Sequence, residues 1–515
     1  MRLFSALYLY LWLQVGVAAI ISPWGESTLK VFNILGQNAS GLDLIVEGDT
    51  SYLAAAYQGL YILDTSNIDD IKVKYHITLA DFGIDAFSLY SLVKQGDYLY
   101  CGFRDSSDPY HEQGYLKVIN LSNLDNIGPV IEPNDILFDG ISNRRGKITG
   151  LFLTENTNEL YAALRLGGLA LIDISDPQIP LVKGIFDPGT IEFQQVVVDT
   201  VHKRAYYGSW SRGIGAVDIT DADPANWTDL RVDNETESDR YWYLVQRGHY
   251  LYAPVADSPS DNSFDEGLAV YDLTSNFSDS SKPPERIGYA EIPPQFQCES
   301  AIGGKDEGLV GGDPGPHQIV LKDNYAIVAN GCMGVLIFDI TYPDKPLFIK
   351  AYEIPGQTDW PWSIAISGDS LITVGRNKNY TVNNDVYVFK IDPVIVEFDE
   401  QHDVKLDTLI YSETVTISGL GVPATISVTD GMYSINNGPF INSNGTIENG
   451  DTIQVLLKSS HNYSSKTSAI LTVGGVSLDF SITTRPDNAS SGSIGFLTLI
   501  ALIIIRLLNR VFKII

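Results

Sequence analysis

The chain has 515 residues, a formal net charge of −29, three Cys and 44% apolar residues. That length holds two or three domains with cores large enough to need no staples. The acidity, with no dense basic cluster, excludes a nucleic-acid binder and broad docking on an anionic membrane; the apolar content excludes a disordered chain.

Met1 and Arg2 precede an apolar run over residues 3–17, and Val17, Ala18 and Ala19 place small residues where a signal peptidase reads. Residues 1–19 are therefore expected to be a secretory signal, cut near Ala19. Between residues 40 and 392 one phrase then recurs: a β-rich segment, a Gly turn, and an alternating apolar strand closing on Asp or Asn before a polar turn. It reads GLYILD (59–64), GYLKVIN (114–120), GLALID (168–173), GIGAVD (213–218), GLAVYD (267–272), GVLIFD (334–339) and, more weakly, DVYVFK (385–390). A period of about 50 residues, each holding several short strands, is the mark of a β-propeller. The seven copies predict an all-β, seven-bladed propeller, with six to eight blades the range the pattern allows. Gly opens the third strand from a tight turn, and the closing carboxylate suits a turn in which it accepts backbone N–H groups. These positions are structural.

Residues 168–177 (GLALIDISDP) with Pro180, and residues 334–343 (GVLIFDITYP) with Pro346, resemble the LVIVD-repeat family of bacterial surface propellers. The resemblance implies a cell-surface propeller over residues 28–393 and implies no reaction, because fold does not determine function. The ring would be completed by residues 29–35 or by residues 394–398; both alternatives stand.

From residue 394 the phrase stops. Strands over 414–418, 424–429, 452–458, 468–473 and 478–483, with turns at Asn436-Asn437-Gly438 and Asn449-Gly450, predict a β-sandwich over residues 394–484. It resembles the Ig-like modules that bacterial exoproteins carry near their C-termini as spacers. Residues 485–493 read as a flexible link, and residues 494–515 as a membrane anchor or sorting signal: an apolar run, then Arg506, Arg510 and Lys513. With Ser490, Ser491, Gly492 and Gly495, this tail resembles the GlyGly-CTERM type of bacterial sorting signal. A eukaryotic lipid-anchor signal is the rival, and nine Asn-x-Ser/Thr sequons give it weight. The reading is an exported protein of the cell surface or outer envelope, anchored at its C-terminus or released after tail cleavage.

Cys298 and Cys332 either pair or stay as thiols, leaving Cys101 over. In a propeller the starts of the first strands and the turns between second and third strands emerge on one face. The first-strand starts read as Asp43, Ser88, Thr149, Gln194, Tyr241, His317 and Trp362; the turns carry Arg104, Arg165, Arg212 and Arg376. Four Arg at equivalent places in so acidic a chain predict a cationic cup for a carboxylate, phosphate or acidic glycan, with His317, Tyr241 and Trp362 beside it. Each Arg pairing with a loop acid is the plainer alternative. The aromatics Tyr241-Trp242-Tyr243 and Trp360-Pro361-Trp362 could stack sugars or fill the core. His317 with Asp313 is the one catalytic pair the sequence offers. Asp257, Asp261 and Asp265 lie in an acidic insert that could hold calcium, though outside any standard calcium-loop pattern, and no His spacing suggests zinc. The functional expectation is a non-catalytic binding or adhesion scaffold for a surface protein or acidic glycan, without a cofactor and touching membrane only through its tail. The alternative is a hydrolase or lyase with a metal-dependent site in the central channel.

Overall fold

The structure, a computed structural model, describes residues 19–487 except 23, 25–26, 37–38, 85–86, 106–112, 127–135, 139–145, 155–156, 190, 210–212, 231–239, 257–265, 275–283, 298–314, 332–333, 355–358, 378–384, 392–393, 397, 418–422, 449 and 475. The chain folds as two compact units: Ser27–Ile391, and a second that joins the residues up to Glu26 with those from Asp392 onward. Among the described residues, no helix is long and apolar enough to cross a membrane.

The first unit is built from antiparallel sheets that follow one another along the chain. Sheet 1 holds Asp43–Glu47, Thr50–Ala54, Leu60–Asp64 and Lys72–Ile77; sheet 2 holds Phe87–Gln95, Tyr98–Asp105, Gly114–Asn120 and Ile136–Phe138. Sheet 3 holds Ile148–Leu153, Glu159–Leu164, Gly168–Asp173 and Leu181–Phe186; sheet 4 holds Gln195–Asp199, Arg204–Ser209, Gly213–Asp218 and Thr228–Asp229. Sheet 5 opens with the short strands Arg240–Tyr241 and Val245–Arg247, which both pair with Tyr250–Ala256, followed by Gly267–Asp272 and Glu285–Glu291. Sheet 6 holds Pro316–Lys322, Tyr325–Asn330, Gly334–Asp339 and Leu347–Glu353. Sheet 7 takes Asp359–Ser367, Ser370–Asn377 and Val386–Ile391 from the end of the unit, and its outer strand, Ser27–Phe32, from the beginning. Of the two completions left open by the sequence, the N-terminal strand is the one that joins sheet 7.

The recurring phrase is the third strand of each sheet. Leu60, Tyr61, Ile62 and Leu63 are all buried although their side chains alternate, because each sheet is covered on both faces by its neighbours. Leu60, Ile62, Leu89, Cys101 and Phe103 pack sheet 1 on sheet 2; Leu44, Leu53, Leu63, Ile372, Val374 and Val388 pack sheet 1 on sheet 7. Two local devices fix the phrase. Its opening glycine adopts φ of +82° at Gly59, +89° at Gly168 and +124° at Gly334, and a Cβ there would run into the carbonyl oxygen of the fourth strand. Its closing Asp or Asn turns the chain: Asp64 Oδ1 accepts from Ser66 N (3.0 Å) and Oγ (2.6 Å), and Asp173 Oδ1 from Ser175 N (2.9 Å) and Oγ (2.5 Å). Asn120 with Ser122 and Asp272 with Thr274 repeat the arrangement. The Ser66 hydroxyl and amide hold the Asp64 carboxyl below its ordinary range.

In the second unit, Gln401–Val404, Val476–Thr484, Lys466–Val473, Ala424–Thr429 and Gly445–Ile447 form one sheet in that order. In the facing sheet, Thr452–Lys458 pairs with Leu409–Tyr411, Val415–Thr416 and Met432–Ile435. Tyr433, Val455, Leu457, Ala469, Leu471, Phe480 and Ile482 share the core between them, a β-sandwich. Asn436 and Asn437 take φ of +51° and +56°, the left-handed pair that a tight hairpin turn requires. Ala19–Ser22 also belongs to this unit, paired antiparallel with Val394–Val396.

Candidate functional site

The first strands of sheets 2, 3, 6 and 7 share an irregularity. Their pairing shifts between Leu89 and Ser91, Ile148 and Gly150, Pro316 and Ile319, and Pro361 and Ser363. The residues left over are Tyr90, Thr149, His317 with Gln318, and Trp362. A bulge frees a residue from the ladder and re-aims its side chain. Each of these five is buried or nearly so, with His317 at 0% and Trp362 at 1% exposure.

Two aromatic groups far apart in sequence meet here. The His317 ring stacks on Trp362 with centroids 3.5 Å apart and 23° between planes. Trp242, from the segment between the two short strands of sheet 5, meets His317 edge-on at 5.5 Å and Trp362 at 5.4 Å. Leu42, Ala56 and Tyr90 complete the cluster, so sheets 1, 2, 5, 6 and 7 all contribute. The Tyr243 hydroxyl donates to the Leu42 carbonyl at 2.9 Å, across 201 positions of sequence, and burial raises its phenol well above the ordinary value. Trp242 is only partly buried, and Tyr57, in the second-to-third-strand turn of sheet 1, is 43% exposed.

Beneath the aromatics runs a chain of hydrogen bonds centred on Asp43. Its Oδ1 accepts from Leu44 N (2.9 Å) and Gln318 Nε2 (3.0 Å), its Oδ2 from Leu92 N (2.8 Å) and Ser91 Oγ (3.2 Å). Gln318 Oε1 accepts from Ile364 N (2.7 Å), and Ser91 Oγ from Leu151 N (3.1 Å). One carboxylate thus links sheets 6, 7, 1, 2 and 3. Burial pushes its pKa from 3.8 up to about 6, against the pull of the four donors. Thr149 Oγ1 donates to the Phe193 carbonyl at 2.6 Å, fastening sheet 3 to the approach of sheet 4.

The arginines end second strands. The Arg104 guanidinium lies 3.8 Å from the centroid of Tyr90, and Arg165, at φ +23°, reaches Glu192 at 3.3 Å with 26% of its side chain exposed. Arg376 is the last residue but one of the second strand of sheet 7, its backbone opposite Trp360. Tyr241 sits elsewhere: it is wholly buried between sheets 4 and 5, with its hydroxyl 2.7 Å from that of Tyr271. Ser88 and Gln194 are buried, Ser88 opposite Arg104 in regular register and Gln194 with its N–H on the Gly208 carbonyl. Cys101 is a buried free thiol whose pKa burial drives up. Arg212, Asp257, Asp261, Asp265, Cys298, Asp313 and Cys332 lie outside the described residues. Among the described ones, no group of three His, Cys, Asp or Glu converges as a metal site would require.

Residues 158–188, which span the second strand, third strand and outer strand of sheet 3, match the family described as the LVIVD repeat. With sheets of four or five strands recurring around that phrase, the assignment follows. The chain is a β-propeller repeat protein. Among solved structures, the propeller resembles the RRP9 WD40 repeats at 12% identity and a TM-score of 0.48, over 71% of this chain and 100% of that one. The WD40 β-propeller domain of Doa1 is similar at 10% identity and 0.45, over 71% and 97%; the computationally designed Ika8 protein at 11% and 0.39, over 73% and 100%. These likenesses are too loose to carry argument, and the propeller assignment rests on the sheets and the repeat. No curated protein matches the chain in sequence.

Sequence reasoning named Asp43, Thr149, His317 and Trp362, which the structure brings to this region, but chose Ser88 where the bulge selects Tyr90. It passed over Tyr57 and the role of Gln318. A run of alternating residues carries no mark of a one-residue bulge, and that shift decides which side chain turns inward.

Proposed function

We propose that this protein is an exported, surface-anchored propeller of seven blades followed by an Ig-like module. It acts as a non-catalytic binding scaffold for an anionic partner, either a surface protein or an acidic glycan. The supporting observation is the placement of Arg104 and Arg165 at matching second-strand ends of adjacent sheets, in a chain of net charge −29. A cationic face on an acidic body steers anionic partners to that face and repels them elsewhere; Glu192, 3.3 Å from Arg165, offsets part of that charge and leaves Arg104 its main carrier among the described residues. The stacked His317 ring and the four donors on Asp43 favour structural roles for both, which weighs against the hydrolase or lyase alternative.

The test changes Arg165 and Arg212 together to Glu in the full chain. Retention on an anionic glycan matrix and adhesion of expressing cells should both fall by about tenfold or more, with a weaker dependence on salt. Unchanged adhesion would remove the arginine face from the function.

A further inference from the structure

We infer that the aromatic cluster is a carbohydrate subsite, built for a pyranose ring that carries a carboxylate. The inference rests on the proposed binding role of the arginine face and names the ligand chemistry of its centre.

Three features point to it. Trp242 is partly exposed, while the rings behind it, Trp362 and His317, are buried and meet it edge-on at 5.4 and 5.5 Å. An indole held this way loses little freedom on binding, and a flat apolar face is what the C–H side of a sugar ring packs against. Tyr57 adds an exposed ring one residue from Ala56, a member of the same cluster. The charge is adjacent: the Arg104 guanidinium lies 3.8 Å from the centroid of Tyr90, itself packed in the cluster. Stacking of a guanidinium orients its planar fork of N–H donors, whose spacing matches the two oxygens of a carboxylate. Aromatic faces beside a fork donor suit a uronic-acid ring better than a phosphate, which has no apolar face to stack. They suit it better than a protein partner too, since a protein would need an extended surface and the cluster is local.

The test titrates the full chain with oligogalacturonate and with its methyl ester, reading tryptophan fluorescence and calorimetric heat. The acid form should bind and quench, and the ester should bind about tenfold more weakly. W242A should lose about tenfold in affinity, W242F should recover most of it, and R104Q should equalise acid and ester. Melting temperatures of the variants separate lost binding from lost folding. Absence of saturable binding to oligogalacturonate overturns the inference, as does equal affinity for acid and ester. If R165E abolishes binding to dextran sulfate while W242A leaves oligogalacturonate binding unchanged, the anionic-partner reading survives and the subsite falls.

Discussion

Replacing Asp43 with Asn exchanges one acceptor oxygen for an N–H₂ donor while keeping the shape. The Ser91 hydroxyl can turn to accept from it, but Leu92 N–H, 2.8 Å from the carboxylate, loses its partner. A buried donor left without a partner costs about 1–3 kcal/mol. At neutral pH that loss is offset, because the variant no longer buries a charge. The carboxyl is raised from 3.8 to about 6 on folding. A raised pKa contributes stability that is fully present below the unfolded value and is lost as pH rises through the folded one. The difference amounts to about 3 kcal/mol, of which about 2 should appear between pH 7 and pH 4.5. The stability gap between wild type and Asp43→Asn should therefore widen by that amount on acidification. Other carboxylates, such as Asp173, held low by Lys183 and Ser175, are common to both proteins and cancel. Urea unfolding followed by tryptophan fluorescence in a Trp24→Phe background reads mainly this unit, since Trp210, Trp227, Trp242, Trp360 and Trp362 all lie within it while Trp24 belongs to the second unit. A gap that stays constant with pH would refute the buried-carboxylate reasoning.

Two further outcomes follow from the packing. Gly168→Ala places a Cβ at φ +89° against the Phe186 carbonyl and should cost roughly 2 kcal/mol or more; an unchanged melting temperature would refute the close approach. Cys101, buried between sheets 1 and 2 with its pKa driven up, should resist thiol reagents at pH 8 until the propeller unfolds. Rapid labelling of the native protein at Cys101 would contradict that placement.

The repeating phrase was readable because it records two local necessities, a left-handed glycine and a carboxylate that caps a turn. Both belong to a few consecutive residues, so they survive in the sequence of Gly168 to Ser175 whatever packs around them. The sandwich strands over 424–429 and 452–458 were legible for a similar reason, their alternation being set by one buried face. Met432–Ile435 and Gly445–Ile447 escaped notice because each is too short to show a period. The site was less legible. Trp242, His317 and Trp362 come from three sheets, and their meeting depends on bulges and on the succession of sheets. Asp43 is legible as a first-strand start, but its part in joining the sheets is not until Ser91 and Gln318 are brought to it from 48 and 275 positions away.

The strands Ala19–Ser22 and Ser27–Phe32 pair with Val394–Val396 and Val386–Ile391. They leave the ribosome long before the strands they pair with. At ordinary rates of synthesis the interval is about 20–70 s. Throughout it the third strand of every finished sheet already has its neighbours, but Ala19–Ser22 and Ser27–Phe32 have none. Such a segment, and later the bare edge of Val386–Ile391, is a template for pairing with another chain. The production of intact protein is then a race between intramolecular capture and encounter with a neighbour, and the crowding of nascent chains should govern its yield more than the stability of the finished fold.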